Sequence, residues 1–136
     1  MKHEPLRAVL DAITLDPAGD HTLLAMAERA HFSVRHLSRL FDEHVGMSAA
    51  SYVERARVEA ARAMLEGGDD GLELVAKRTG FGSVETMRRA FLRGLGVTPG
   101  VYRSQFRTTG IGSNREAAHD DLWPDAFHRV PVSPPA

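Results

Sequence analysis

A pattern that occurs twice, fifty positions apart, constrains the fold of this chain more than any other feature. Residues 33–41 read SVRHLSRLF, and residues 83–91 read SVETMRRAF. The similarity extends upstream, where AERAHF at 27–32 matches AKRTGF at 76–81 before Gly82 is inserted. Self-similarity on this scale is typical of one supersecondary unit used twice. We therefore expect two copies of a small unit built from two helices and a tight turn.

Apolar residues recur at helical spacing in both copies, and no alternating strand pattern appears. Val34, Leu37 and Phe41 lie at i, i+3 and i+7, which predicts one buried stripe. The matching stripe of the second copy consists of Val84, Met87 and Phe91. The periodicity thus predicts an all-α protein.

Capping residues and glycines divide the chain into seven predicted helices. They start at about residues 5, 22, 33, 48, 70, 83 and 98, and the last one ends near Arg107. The fifth opens with DGLE from Asp70, an acidic variant of the capping box. The fourth, 48–66, joins the two helix-turn-helix copies, and its predicted apolar stripe is Val53, Ala56, Ala60 and Met64.

The composition changes after residue 107. Residues 1–107 hold 15 Lys and Arg against 14 Asp and Glu, whereas residues 108–136 hold 2 against 4. The second segment is also rich in Gly, Ser, Thr and Pro. We therefore predict a helical domain over 1–107 and an acidic, poorly ordered tail over 108–136.

Several function classes find no support in the sequence. Cysteine is absent, so a disulfide framework and a thiolate metal site are excluded. The seven histidines lack the spacing of metal ligands, and no glycine-rich phosphate loop follows a strand. No apolar run reaches the roughly 20 residues that span a bilayer. We expect no enzyme, no cofactor, no metal site and no membrane partner.

Arginines on the outward side of the second helices are not explained by packing. Arg39 and Arg89 each precede a buried phenylalanine by two residues, about 200° around the helix. Arg35 and Arg39 are like charges at i, i+4, which repel by a few tenths of a kcal/mol. An anionic partner would account for them, because a helix fits the major groove of DNA and arginine bonds guanine there. The alternative is a helical interaction module that docks an acidic protein.

The segment 6–106 resembles the DNA-binding domain of AraC/XylS-type transcription regulators. Its most specific parts are 33–53, 57–65 and AKRTGFGSVETMRRAFLRGLGVTPGVYR at 76–103. Residues 5–23 look most like members that carry an amidotransferase-like sensor before this domain. The resemblance implies a sequence-specific regulator of bacterial transcription that binds double-stranded DNA in the cytoplasm, at the nucleoid. We expect an activator that also contacts RNA polymerase, although the residues do not distinguish an activator from a repressor. We also expect a sensor domain upstream of Met1.

The resemblance also nominates contact residues in the two helices, about 33–46 and 83–96, that would enter successive major grooves. The base contacts are Arg35, His36, Ser38 and Arg39 in the first, and Glu85, Arg88 and Arg89 in the second. The phosphate contacts are Ser33, Ser83 and Thr86. Glu85 is acidic, which is unexpected in a helix that is meant to contact DNA. It can pair with Arg89 at i+4, and the second helix would then bind DNA more weakly or prefer cytosine, whose N4 can donate to the carboxylate.

The length of the fourth helix fits this arrangement. About 19 residues at 1.5 Å each give roughly 28 Å, against roughly 34–36 Å for one turn of DNA. Because both reading helices belong to one chain, we expect the protein to bind as a monomer.

Overall fold

The computed structural model describes residues 4–109, which form seven α-helices and no strand. The helices are α1 (Glu4–Leu15), α2 (Leu23–Ala30), α3 (Val34–Leu40), α4 (Ala49–Gly67), α5 (Leu72–Arg78), α6 (Val84–Leu95) and α7 (Pro99–Thr109). The all-α, seven-helix prediction is confirmed. The last helix continues two residues past the predicted end of the helical domain, and the remainder of the predicted tail lies outside the described residues.

The chain divides between Ala56 and Arg57 into two compact units. Unit 1 contains α1, α2, α3 and the first part of α4, and unit 2 contains the rest of α4 with α5, α6 and α7. Each unit therefore holds one copy of the repeated pattern, which lies in α2–α3 and in α5–α6.

The core of unit 1 is formed by one stripe from each of its helices. α1 contributes Leu6, Val9, Leu10 and Ile13. The other buried members are Met26, Ala27, Leu37, Phe41, Val45, Ala49, Tyr52 and Val53. Burying one such large side chain contributes about 1.5–3 kcal/mol. Leu37 and Phe41 are fully buried, and they fix which side of α3 faces solvent.

Unit 2 buries the corresponding positions. Its buried apolar residues are Val58, Ala61, Leu65, Val75, Ala76, Met87, Ala90, Phe91 and Leu95. Met87 and Phe91 are the repeat partners of Leu37 and Phe41, and both are fully buried. Ala27 and Ala76 are buried in the first helix of each pair, where a small side chain permits a close crossing. The predicted stripes of the second helices are confirmed at these positions.

The repeat also includes a helix whose sequence does not show it. In α1 the buried positions are 6, 9, 10 and 13, and in the part of α4 that belongs to unit 2 they are 58, 61, 62 and 65. The spacing is identical, so α1 and the second part of α4 are the equivalent first helices of the two units. At one of these positions Leu10 in unit 1 is replaced by Arg62 in unit 2.

Arg62 belongs to a buried polar network within unit 2. Its side chain is 7% exposed and that of Glu66 is 9% exposed. Arg62 Nε donates to the Tyr102 hydroxyl at 3.0 Å, and Nη1 donates to Glu59 Oε1 at 3.1 Å. The Tyr102 hydroxyl donates to Glu66. Burial and this bond to Glu66 raise the pKa of Tyr102 to about 12. The network therefore holds α7 against α4.

Three details of the sequence prediction are wrong. Val34 is 39% exposed, since it is the first residue of α3 and the core does not cover that turn. Val53 is the one member of the predicted α4 stripe that is buried; Ala56, Ala60 and Met64 are half-buried. Tertiary neighbours in each unit select other positions of α4, which are Ala49 and Tyr52 in unit 1 and Val58, Ala61, Arg62 and Leu65 in unit 2.

The third error concerns the start of α5. Gly71, not Asp70, occupies the N-cap position, and no side chain caps the helix. The Asp70 carboxylate instead accepts a hydrogen bond from Arg78 Nη1 at 3.3 Å. The capping box requires the helix to start one residue earlier, so it does not form here.

The end of α3 also differs in form from the prediction. α3 continues into a π-helical turn, Phe41–Val45, before it stops at Gly46. The Gly46 N–H donates to the Phe41 carbonyl at 2.9 Å, and Gly46 has φ 87°, where glycine is favoured. Both predicted glycine stops are confirmed, because Gly96 ends α6 with φ 77°.

Candidate nucleic-acid interface

Side-chain caps hold the turn between α2 and α3. Thr22 caps α2 by accepting a hydrogen bond from Ala25 N at 3.1 Å. α2 ends at His31 (φ 61°), and the Phe32 N–H returns to the Ala27 carbonyl at 2.9 Å. Ser33 then caps α3, since its hydroxyl accepts from His36 N at 3.0 Å. Each of these bonds satisfies a backbone group that a helix end leaves unpaired, so the turn has a defined geometry.

The equivalent turn of unit 2 accommodates the inserted residue with a glycine. Gly82 has φ 86°, and its N–H donates to the Ala76 carbonyl at 3.1 Å. Ser83 caps α6 by accepting from Thr86 N at 3.1 Å. The same serine cap is therefore kept on both sides of the insertion, and α6 starts at the same register as α3.

α3 presents a cationic face to solvent. Arg35, Ser38 and Arg39 are all exposed, and Leu37 and Phe41 on the opposite side are buried. Within residues 4–109, neither arginine forms an ion pair or a side-chain hydrogen bond. The structure thus brings together three of the four predicted base contacts of unit 1, Arg35, Ser38 and Arg39, as an exposed group without a carboxylate partner in residues 4–109.

α6 also exposes arginines on the side opposite its buried residues, but these arginines are paired with a carboxylate. Glu85 Oε2 accepts hydrogen bonds from Arg88 Nη2 at 2.7 Å and from Arg89 Nε at 2.8 Å, while Oε1 accepts from Arg88 Nε at 2.9 Å. The hydrogen bonds from Arg88 and then Arg89 lower the pKa of Glu85 to about 2. We call Glu85, Arg88 and Arg89 the Glu85 clamp. The pairing with Arg89 was predicted, and the one with Arg88 was missed although its i, i+3 spacing was a usable signal.

The remaining predicted contacts lie beside these faces, at the starts of the helices. His36 is exposed, and its ring packs edge to face on Phe32 with the centroids 4.9 Å apart. Ser33 is occupied as the cap of α3. In unit 2 the Ser83 hydroxyl donates to Thr86 Oγ1 at 2.9 Å. This pairing leaves the Thr86 hydroxyl proton available for an external acceptor.

Two further features of residues 4–109 concern metal-holding groups and membrane-spanning helices. No group of three or more His, Cys, Asp or Glu side chains that could hold a metal ion occurs among them. None of the helices in this part of the chain is long and apolar enough to cross a membrane. The arrangement is suited to placing arginine and hydroxyl groups against an anionic surface.

Solved structures share this fold. The DNA-binding domain of AdpA, a global transcriptional factor crystallised with a target DNA, aligns with a TM-score of 0.74 and 30% sequence identity over 77% of this chain and 95% of that one. The C-terminal domain of AraT, a response regulator from Geobacillus stearothermophilus, aligns with a TM-score of 0.71 and 26% identity over 75% and 85% of the two chains.

Sequence comparisons agree with the structural ones. The HTH-type transcriptional regulator Rv1931c of Mycobacterium tuberculosis is 47% identical over 88 residues, which are 65% of this chain and 34% of that protein. A putative AraC-like transcription regulator of Streptomyces lividans is 35% identical over 69% of this chain and 31% of its own length. The chain thus spans about a third of the length of these relatives. The helix-turn-helix domain family matches residues 26–105, more than half of the chain, which therefore belongs to the AraC-type helix-turn-helix family of transcription regulators.

Proposed function

We propose that this chain is a sequence-specific, double-stranded DNA-binding domain that regulates bacterial transcription. The observation that carries the proposal is the repeated geometry: α3 and α6 each start at a serine cap, bury residues at one register and expose arginine at another. An α-helix with outward arginines matches the shape and the hydrogen-bond acceptors of the major groove. The AdpA domain, which was crystallised with DNA, supports the same interpretation.

In this proposal α3 reads one major groove and α6 reads the next. Arg35, Ser38 and Arg39 contact base edges from unit 1. Arg88 and Arg89 do so from unit 2 after their exchange with Glu85, whose carboxylate can accept from cytosine N4. Ser33, Ser83 and Thr86 contact phosphates. The spacing of the two helices along the duplex, by about one helical turn, stays a prediction based on the length of α4.

The proposal extends to the whole protein. We infer that residues 110–136 are not needed for DNA binding, and that the chain binds its site as a monomer. A sensor domain of the amidotransferase-like type and RNA polymerase are its proposed further partners. Binding to chromosomal DNA would place the protein at the bacterial nucleoid, and no enzymatic step is required for this role.

A selection experiment tests the proposal. Duplexes bound by the chain are enriched from a random pool, and the affinity for the winning sequence is then measured between 50 and 200 mM salt. Contacts with about 6–10 phosphates predict a loss of roughly 10³–10⁵ in affinity over this range. If no sequence is enriched and a salt-insensitive protein partner is found instead, the helical interaction module becomes the better description.

A further inference from the structure

His36 occupies a different place from the three residues that form the exposed face of α3. Successive residues of a helix are about 100° apart, so His36 lies about 100° from Arg35 and about 60° from Arg39. It is therefore at the flank of the cationic face. When a helix fills the major groove, its central face meets base edges, and its flanks approach the phosphate backbones that border the groove.

The position equivalent to His36 in unit 2 is occupied by Thr86, which we propose as a phosphate contact. His36 is the third residue after the Ser33 cap, and its N–H bonds the Ser33 hydroxyl at 3.0 Å. Thr86 is the third residue after the Ser83 cap, and its N–H bonds the Ser83 hydroxyl at 3.1 Å. His36 and Thr86 are thus equivalent positions of the two units, one carrying an imidazole and the other a hydroxyl.

The His36 ring is held in place but keeps its polar atoms for an external partner. Its edge-to-face contact with Phe32 fixes the ring against a side chain that packs on the core of unit 1. Its nitrogens form no hydrogen bond with any residue in 4–109, and no carboxylate in that range lies within 4.0 Å of them. The ring is therefore exposed, oriented and without an acceptor in the described part of the chain.

Charges of both signs occur near His36 in the chain, but none of the carboxylates in residues 4–109 is in contact with its ring. The charged or titratable residues on the end of α2, on α3 and on the turn that continues it are Glu28, Arg29, His31, Arg35, Arg39, Asp42, Glu43 and His44. Arg29 is bound to the Asp20 carbonyl and to His21. A DNA phosphate would supply a counter-charge that the described residues do not place within 4.0 Å of the ring.

We propose that His36 contacts a DNA phosphate, not a base, and that its protonation strengthens DNA binding by unit 1 as the pH falls. This inference rests on the proposed DNA-binding function. The unperturbed pKa of histidine is about 6.5, so the charge of a histidine contact changes within the range between pH 5 and 8. Thr86 has no such titration, so the pH response arises from unit 1 alone.

The test uses a substitution that copies unit 2 into unit 1. DNA affinity is measured at pH 8.0 and pH 5.5 for the wild-type chain, His36→Thr and His36→Gln, with circular dichroism at both pH values to verify folding. We expect the wild-type affinity to rise roughly tenfold at the lower pH, and both variants to lose this rise. At pH 5.5 the slope of log affinity against log salt should decrease by about 0.9 in the variants, the effect of one phosphate contact.

Two controls distinguish this role from its alternatives. His44→Gln removes another exposed histidine, which lies 4.0 Å from Glu43, and should leave the pH response intact. The rank order of bound sequences should be the same for His36→Thr and the wild type. A variant that keeps the full pH response, or one that changes the preference at a single base pair, would overturn the phosphate role. Absence of wild-type DNA binding at either pH would instead refute the proposed function itself.

Discussion

Arg35 and Arg39 of unit 1 have no carboxylate partner within the described chain, whereas in unit 2 Glu85 occupies the position of Arg35 and binds both Arg89, the equivalent of Arg39, and Arg88, the equivalent of Ser38. The two helices share the serine cap, a glycine stop and the buried pairs Leu37 and Met87, Phe41 and Phe91, and Val45 and Leu95, although α3 ends in a π-helical turn and α6 does not. Glu85 in place of Arg35, with Arg88 in place of Ser38, therefore separates their electrostatic states. A helix with unpaired arginines binds an anion directly, while the Glu85 clamp must first exchange its internal hydrogen bonds. The proposed reading heads are thus alike in shape but unequal in their readiness to bind DNA.

The first helices of the units differ in a complementary way. α1 places Leu10 and Thr14 where α4 places Arg62 and Glu66. The two tyrosines of the repeat differ accordingly: burial raises the pKa of both Tyr52 and Tyr102, and only the Tyr102 hydroxyl also bonds Glu66. Unit 1 thus has leucine at the buried position where unit 2 has arginine. Conversely, the exposed arginines of α3 have no carboxylate partner within residues 4–109, while those of α6 are bound to Glu85.

The largest expected effect concerns the interior of unit 2. Glu66→Ala removes the acceptor of the half-buried Tyr102 hydroxyl and one of the two carboxylates beside Arg62, which keeps its bonds to Glu59. It should lower the free energy of unfolding by about 2–3 kcal/mol. The matched change in unit 1, Thr14→Ala, removes a hydrogen bond to the Leu10 carbonyl of 3.1 Å and should cost about 1 kcal/mol. Urea unfolding followed by circular dichroism measures both. If Glu66→Ala and Thr14→Ala unfolded at the same urea concentration, the charged network would contribute no more to stability than the single hydrogen bond of Thr14.

A double substitution sharpens this result. Arg62→Leu with Glu66→Thr gives unit 2 the residues that unit 1 has at these positions. Because no buried charge is left without a partner, the double variant should be more stable than Glu66→Ala alone. A double variant that unfolds more readily than Glu66→Ala would mean that the charges themselves stabilise unit 2.

The next effect compares the exposed arginines. Arg39→Ala should weaken binding to the selected duplex by about 1–3 kcal/mol and relax the preference at one base pair. Arg89→Ala should cost less, since Arg89 must leave Glu85 before it binds a base. Fluorescence anisotropy with single-base-pair variants of the duplex measures both quantities. Equal losses in the two variants would contradict the inequality of the reading heads, and an unchanged Arg39→Ala variant would show that unit 1 does not read bases.

Opening the Glu85 clamp should reduce the difference between the units. Glu85→Gln releases Arg88 and Arg89 from their ion pairs, and we expect it to change base preference more than overall affinity. In this background Arg89→Ala should cost more than it does in the wild type, which a double-mutant cycle detects. An equal gain on every sequence would mean that Glu85 acts only by repelling phosphate.

The pH dependence of the clamp gives a smaller, spectroscopic effect. The pKa of Glu85 is lowered from 4.5 to about 2 by Arg88 and Arg89. A lowered folded-state pKa means that the contribution of the clamp to folding is present above about pH 4.5 and is lost as the pH falls toward 2. Carboxyl NMR titration should show this low value, and Arg88→Ala should return it toward 4.5. A wild-type value near 4.5 would show that the clamp is open in solution.

The smallest effect is expected for the segment 110–136, which follows the described residues. Deleting residues 110–136 should change DNA affinity by less than about twofold, since the proposed contacts all lie within α3 and α6. The deletion keeps Arg107, whose Nη2 donates to the Gly68 carbonyl at 2.7 Å and holds the end of α7 to the end of α4. Anisotropy and circular dichroism provide the measurement. Loss of helix content would place the deleted segment in the core.

Local interactions explain why so much was predictable from the sequence. The serine caps at residues 33 and 83, the glycine stops at 46 and 96 and the Glu85–Arg89 pair all join residues within five positions of one another. Their spacing is visible in the chain, and the helices follow from it. The exposed position of Arg39 and Arg89 followed in turn from the buried phenylalanine two residues later.

Tertiary packing decided what these local rules leave open. α4 carries apolar side chains on several sides, so its buried positions depend on which helices pack against it in each unit. From the sequence alone, Arg62 would be expected on the surface of α4. It is buried in the structure, where its Nε donates to the hydroxyl of Tyr102, forty positions away in the chain. The equivalence of α1 with the second part of α4 likewise appears in burial and not in residue identity. The sequence by itself thus determined the helices, the ends fixed by serine caps and glycines, and the exposed arginines, whereas the interior of each unit depended on contacts between residues distant in the chain.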